Sequence, residues 1–152
     1  MDCALARNRS ELAAHFAIRH SVFVEAQGIF EHDDHDDRDR DPATLHVIGR
    51  AGDDVVGAVR LYPLDADGLW KGDRLAVLPG ERALRLGAML VRFAVRTAGE
   101  RGGRLMVARV QVPNVSFFER LGWHCDGDAG PMLGVTHQPM AIALGPSRSR
   151  GR

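Results

Sequence analysis

The stretch over residues 69–99 constrains the fold more than any other part of this chain. Up to Leu78 its apolar residues suit a strand, and Pro79-Gly80 interrupts it. Beyond Arg82 the period lengthens, with Leu86, Leu90, Phe93 and Thr97 on one helical face and Arg85, Arg92 and Arg96 elsewhere. A strand, a tight turn and a long helix over about 82–99 need a sheet against which the helix can bury its apolar face. Such a turn also aims unpaired backbone amides and the positive end of a helix dipole at one point, which suits a pyrophosphate. Gly87 and Ala88 would let a ligand come close to the backbone. The same spacing also occurs in plain helix-on-strand packing, so it does not define a site alone.

The remaining elements follow from the same periods. Residues 3–6 read as a short strand, and a helix capped by Ser10 or Asn8 runs to about His20 with Leu12, Ala13, Phe16 and Ala17 inward. Val22, Phe23 and Val24 continue the apolar signal towards Gly28. Residues 31–41 contain no apolar side chain and many like charges, which predicts an exposed, solvated loop. Strands are expected over 45–50, 55–62 and 69–78, the first two joined as an antiparallel hairpin by Ala51-Gly52-Asp53-Asp54. After Gly102-Gly103 come a strand over 105–110, a short helix over 114–121, and strands over 123–125 and 137–144. The expected order is β-α-α-β-β-β-α-β-α-β-β in a single domain over 1–145, followed by a disordered Arg-rich tail over 146–152.

Composition removes several function classes. Lys plus Arg and Asp plus Glu number 20 each in 152 residues, so no overall field recruits nucleic acid or an anionic membrane. No apolar run approaches the roughly 20 residues of a membrane span, and the N-terminus lacks a secretory pattern, so a cytoplasmic location is expected. Cys3 and Cys125 form neither a disulfide scaffold nor a Cys-x-x-Cys pair. The carboxylates of residues 31–41 with His32 and His35 could offer metal ligands, but the glycine and glutamate of a calcium loop are out of register; no metal is expected.

The stretch Arg82-Ala83-Leu84-Arg85-Leu86-Gly87-Ala88 resembles motif A of the GCN5-related N-acetyltransferases (GNAT), Arg/Gln-x-x-Gly-x-Gly/Ala, with Arg85 where a glycine is usual. Gln111-Val112-Pro113-Asn114-Val115-Ser116-Phe117-Phe118-Glu119-Arg120-Leu121-Gly122-Trp123 is similar to motif B, and the likeness covers about residues 3–144. The resemblance implies an α/β (α+β) fold with a mixed, mostly antiparallel sheet of about six or seven strands, splayed between the fourth and fifth, and about four helices. It implies acetyl-CoA as co-substrate, with Leu75, Ala76 and Val77 beside the pantetheine arm, Arg82, Arg85, Leu86, Gly87 and Ala88 at the pyrophosphate, and Asn114 and Phe118 nearby. A Tyr that protonates the leaving thiolate is common where Phe118 stands, so Tyr62, His124 or Cys125 would have to replace it. Asp73 and His137 are the candidate bases.

The front half, Arg19-His20-Ser21-Val22-Phe23-Val24-Glu25-Ala26-Gln27-Gly28, and the segment around His137 resemble the ElaA-like branch, which implies Arg19, Phe23, Glu25 and Arg60 around the acceptor. The strings Trp70-Lys71-Gly72-Asp73-Arg74-Leu75-Ala76-Val77 and Asn114-Val115-Ser116-Phe117-Phe118-Glu119-Arg120-Leu121-Gly122-Trp123 are similar to GNAT domains encoded near nitrilase-type enzymes. The implied function is acetyl transfer to a small-molecule amine by direct attack in a ternary complex, and a homodimer is a further expectation. The acidic stretch over 31–41, near the acceptor mouth, would favour a cationic amine. Two alternatives stay open: a module that binds acyl-CoA without turnover, and an acyltransferase like the acyl-homoserine-lactone synthases, whose Trp-Glu-x-x-Arg appears here with Lys71 in place of the acid.

Overall fold

A computed structural model describes residues 1–145, and the tail expected over 146–152 lies outside the described residues. Eight strands form one sheet: β1 (Asp2–Leu5), β2 (Leu45–Ala51), β3 (Asp54–Pro63), β4 (Leu69–Val77), β5 (Leu105–Gln111), β6 (His124–Cys125), β7 (Gly130–Met132) and β8 (Val135–Ala143). Their spatial order is β1-β2-β3-β4-β5-β8-β6, with β7 also on β8. Every pair is antiparallel except β4 with β5. The α-helices among the described residues are α1 (Arg9–Arg19), α2 (Ala83–Glu100) and α3 (Val115–Arg120). The mixed, mostly antiparallel architecture is the expected one, with two differences. Strand β7 was not expected, because three residues containing a proline carry almost no periodic signal. In place of a separate second helix, α1 runs on as a π-helical segment, His20–Ala26.

Local chemistry fixes the first helix. Asn8 rather than Ser10 is the cap, accepting the Glu11 amide at 2.8 Å, and the Glu11 carboxylate accepts the Arg7 amide at 2.8 Å. The π-helical segment closes with the Gln27 amide on the Val22 carbonyl at 2.9 Å. Gly28 then turns the chain at φ +64°, a left-handed conformation that favours glycine.

Helix α2 covers one face of the sheet. Leu86, Leu90, Val91, Ala94 and Ala98 pack there with Val47, Val59, Leu61, Trp70 and Met106 in the main core. Each fully buried leucine contributes roughly 1.5–3 kcal/mol. Gly49 and Gly57, opposite one another on β2 and β3, make the close approach possible: an added Cβ would stand 3.0 Å from Leu86 Cδ1 and 2.9 Å from Leu90 Cδ1. On the other face a smaller cluster of Ile18, Phe23, Ala58 and Ala76 seats α1 and its π-helical extension.

The two parallel strands pair only where Leu69, Trp70 and Lys71 face Leu105, Met106 and Val107. Beyond that point they diverge. A bulge in β4 lies at the divergence: Ala58 pairs with Ala76 and Arg60 with Asp73, so Arg74 and Leu75 together oppose Val59. Arg74 takes φ +53° there, which costs a residue with a Cβ about 1–2 kcal/mol.

Candidate active site

The diverging strands enclose a cleft of ≈ 950 Å³, part of it open to solvent. Asp73, Arg74 and Leu75 of β4 form one wall, and Ala108, Arg109, Val110 and Gln111 of β5 form the other. Phe23, Phe30, Asn114, Phe118, Trp123 and His137 complete the lining.

At the start of α2, Arg82 is the cap residue and makes no side-chain capping bond. The Ala83 amide bonds the Gly80 carbonyl at 3.2 Å and the Leu86 amide bonds the Arg82 carbonyl at 3.0 Å. The Leu84 and Arg85 amides are left without an acceptor, at the positive end of an 18-residue helix. The side chains of Arg82 and Arg85 are exposed beside them, and Ala88 is half-buried one turn on. The Leu86 side chain is buried in the core, and Gly87 is buried beside Phe117, where an added Cβ would make ordinary van der Waals contact with Phe117 Cζ at 3.5 Å.

The acidic stretch corrects the sequence reading most. Asp34 is 1% exposed, and Asp36 caps the short 3-10 turn Asp37–Arg40. Arg19, fully buried, donates Nε to Asp34 at 2.7 Å and its terminal nitrogens to Asp39 at 2.8 and 2.9 Å. Arg60, 1% exposed, donates to Asp73 twice at 2.7 Å, to Asp36 at 2.6 and 3.1 Å and to Asp39 at 3.1 Å. Arg74 reaches Asp34 and Asp36, stacks 4.7 Å from the Phe30 ring centre, and so holds its own left-handed backbone in place. Asp34, Asp36 and Asp39 thus belong to an ionic cluster around buried arginines, while Glu31, Asp33, Asp37 and Asp41 of the same segment stay exposed as expected. Its acids repel one another in sequence, but Asp34, Asp36 and Asp39 meet arginines 15 to 40 residues away in the chain.

The cluster sets the ionisation of its members. Burial alone would raise the Asp39 carboxyl, but hydrogen bonds from His46 and Arg19 and the Arg19 charge outweigh it and hold the group far below the usual carboxylate range. Asp36 is lowered because Arg60 and Arg74 outweigh its desolvation. Arg60 is buried, yet Asp73 and Asp36 hold its proton more firmly than water does. His15 donates Nδ1–H to the Val47 carbonyl at 2.8 Å and presents Nε2 to Arg19 at 3.3 Å; burial pushes its pKa down to about 3, so the ring stays neutral.

The candidate catalytic residues therefore separate. Asp73 lines the cleft, but its two oxygens accept from Arg60 and from the Tyr62 hydroxyl at 3.1 Å, so it is a poor free base. Tyr62 is buried, lies outside the cleft lining, and has its pKa pushed up to about 12 by burial and by Asp73, which unsuits it as an acid. His124 and Cys125 sit exposed on β6 and do not line the cleft. Of the expected acceptor contacts, Phe23 lines the cleft, Glu25 is exposed beside Ser21 at 3.3 Å, and Arg19 and Arg60 are buried in the ionic cluster and are not part of the cleft lining. His137 is buried on the cleft wall with Nδ1 2.8 Å from the Val135 carbonyl. A carbonyl only accepts, so Nδ1 is the donor, and in the neutral imidazole the lone pair is on Nε2.

Two wall residues escaped the sequence reading. Trp123 Nε1 is buried without a partner, and its ring stands edge-on to Phe118 at 5.4 Å. Arg74 stands next to Asp73 in the sequence but pairs with Asp34 and Asp36, partners that no local signal gives.

A mixed sheet opened between its parallel strands, with free helix-terminal amides at the opening, defines an acyltransferase-type scaffold. The chain belongs to the acetyltransferase (GNAT) family, whose sequence pattern matches residues 12–123. It is 25% identical over 123 residues to the uncharacterized N-acetyltransferase YjcF of Bacillus subtilis, covering 81% of this chain and 85% of that one. Its fold is similar to that of Escherichia coli ElaA, with TM-score 0.81 and 21% identity over 93% of this chain and 98% of that one. It also resembles an aminoglycoside 6'-N-acetyltransferase solved with coenzyme A, with TM-score 0.74 and 16% identity over 96% and 98% of the two chains.

Proposed function

We propose that this enzyme transfers an acetyl group from acetyl-CoA to the amine of a small molecule by direct attack in a ternary complex. The observation that carries the reading is the opened β4 edge, leading to the free Leu84 and Arg85 amides at the start of α2. Backbone groups of Leu75, Ala76 and Val77 would lie along the pantetheine arm, and the amides with the Arg82 and Arg85 side chains would hold the phosphates. Acetyl-CoA supplies an acyl group already activated as a thioester. What the chain adds is mostly position, with reactants held together between rigid strands. The bare Nε2 of His137 is the group suited to take the proton of the attacking amine. Phe118 delivers none, and the Trp123 indole N–H is the polar donor beside it.

The test is the Arg85→Glu variant. A glutamate in the first turn of α2 suits the helix dipole, so the fold is kept, but it repels phosphate. Acetyl-CoA should raise the Tm of the wild type, by the equivalent of about 2.7 kcal/mol at a hundredfold excess over Kd, and leave the variant nearly unmoved. Equal shifts in both proteins would remove the phosphates from this turn; no shift in the wild type would sink the reading.

A further inference from the structure

We infer that the amine accepted by this enzyme carries an anionic group, of the carboxylate class, and that Arg109 binds it. The inference rests on the acetyltransferase reading above and names its substrate class. Three formally charged side chains line the cleft: Asp73, Arg74 and Arg109. Asp73 is neutralised by two bonds from Arg60, and Arg74 is neutralised by Asp34 and Asp36. Arg109 is exposed to the cleft and has no ion pair or hydrogen bond among the described residues. The cluster behind β4 holds one aspartate more than it has arginines, but of the three charged side chains on the cleft walls Arg109 is the one without a charged partner among the described residues. This runs against the expectation of a cationic acceptor: of the acidic segment on which it was based, Asp34, Asp36 and Asp39 are bonded to Arg19, Arg60 and Arg74.

The face of the sheet settles which reactant Arg109 meets. Met106 and Val110 pack in the core with Leu86 and Leu90 on the α2 side. Residues alternate along a strand, so Arg109 projects to the opposite face, away from the amides at the start of α2. Gln111, on that same face, bonds Gln27 of the π-helical segment at 3.2 Å. Gln111 is opposite His137 and Arg109 is opposite Pro139, which makes Arg109 and His137 diagonal neighbours, roughly 7–8 Å apart between backbones. An amine beside Nε2 with a carboxylate a few bonds away fits that pair, and the fork of a guanidinium can bind both carboxylate oxygens. Phe23 and Phe30 on the cleft border add room for an apolar body.

The experiment compares L-phenylalanine and L-methionine with their carboxamides by thiol release from acetyl-CoA. Removing the carboxylate lowers the amine pKa and favours the amide as nucleophile at neutral pH, so a preference for the acid reports recognition. The expected kcat/KM is at least tenfold higher for the acids in the wild type. Arg109→Gln should bring the ratio to one or below through acceptor KM and leave the KM of acetyl-CoA unchanged, and Arg109→Lys should restore part of it. Equal rates, a preference for the amides, or a variant that raises acetyl-CoA KM while keeping the ratio would overturn the inference. If none of the four amines turns over, their effect on the Tm of the CoA-bound protein decides: a rise with the acids alone, lost in Arg109→Gln, supports it, and its absence overturns it. Failure of CoA itself to raise the Tm would instead strike the acetyltransferase reading.

Discussion

The polar groups on the two sides of the cleft differ in one respect, which is whether they are spoken for. Behind β4, three arginines and four aspartates bond one another in the buried cluster around Arg19, Arg60 and Arg74. Across the cleft, the Arg109 side chain, the Nε2 of His137 and the Nε1 of Trp123 have no protein partner among the described residues. A satisfied network holds shape, because removing one member leaves a buried charge alone; an unsatisfied group is free to meet a ligand. The cluster anchors the strained Arg74 and with it the bulge that turns β4 out of its pairing, so one side builds the opening that the other side uses.

Breaking the satisfied side should have the largest effect. Arg60→Met leaves Asp36, Asp39 and Asp73 facing one another, and denaturant unfolding should show a loss of about 3–5 kcal/mol. A loss below about 1 kcal/mol would mean that water already compensates the cluster. On the unsatisfied side, His137→Gln should lower kcat/KM by about a hundredfold with little change in unfolding midpoint. An unchanged kcat/KM would make His137 a wall residue only.

The contrast can be sharpened by acid. His15 has its pKa depressed to about 3, so between pH 6.5 and 3 the unfolded chain binds a proton that the folded chain refuses. Stability should therefore fall as pH falls through that window, by up to about 1.4 kcal/mol per pH unit. Below about pH 4 the lowered carboxyls of Asp36 and Asp39 add to the fall, since the unfolded chain protonates first. His15→Gln should flatten the upper part of the curve in urea titrations and leave the lower part. The smallest effect is expected for Phe118→Tyr. A hydroxyl that reaches the cleft should raise kcat a few-fold at unchanged stability, whereas one trapped against Trp123 should cost about 1–3 kcal/mol and add no rate.

Much of the scaffold was legible in the chain. The change of period after Pro79-Gly80 marked β4, the turn and α2 because burying one helical face leaves a repeat in the sequence, and Ala51-Gly52-Asp53-Asp54 marked the β2–β3 hairpin because tight turns have local chemistry. Motif resemblance brought out the turn at Arg82 and Arg85 and the segment at Asn114 and Phe118. What a sequence cannot carry is the partner of a charge. Residues 31–41 read as solvated because their acids see only one another along the chain, while Arg19, Arg60 and Arg74 reach Asp34, Asp36 and Asp39 through folding. Arg109 looks like any surface arginine until the sheet splays beside it. Local period and turn chemistry are written in neighbouring residues and fix the elements; which polar groups are neutralised and which face an open cleft depends on contacts between residues tens of positions apart, so only the tertiary structure decides it.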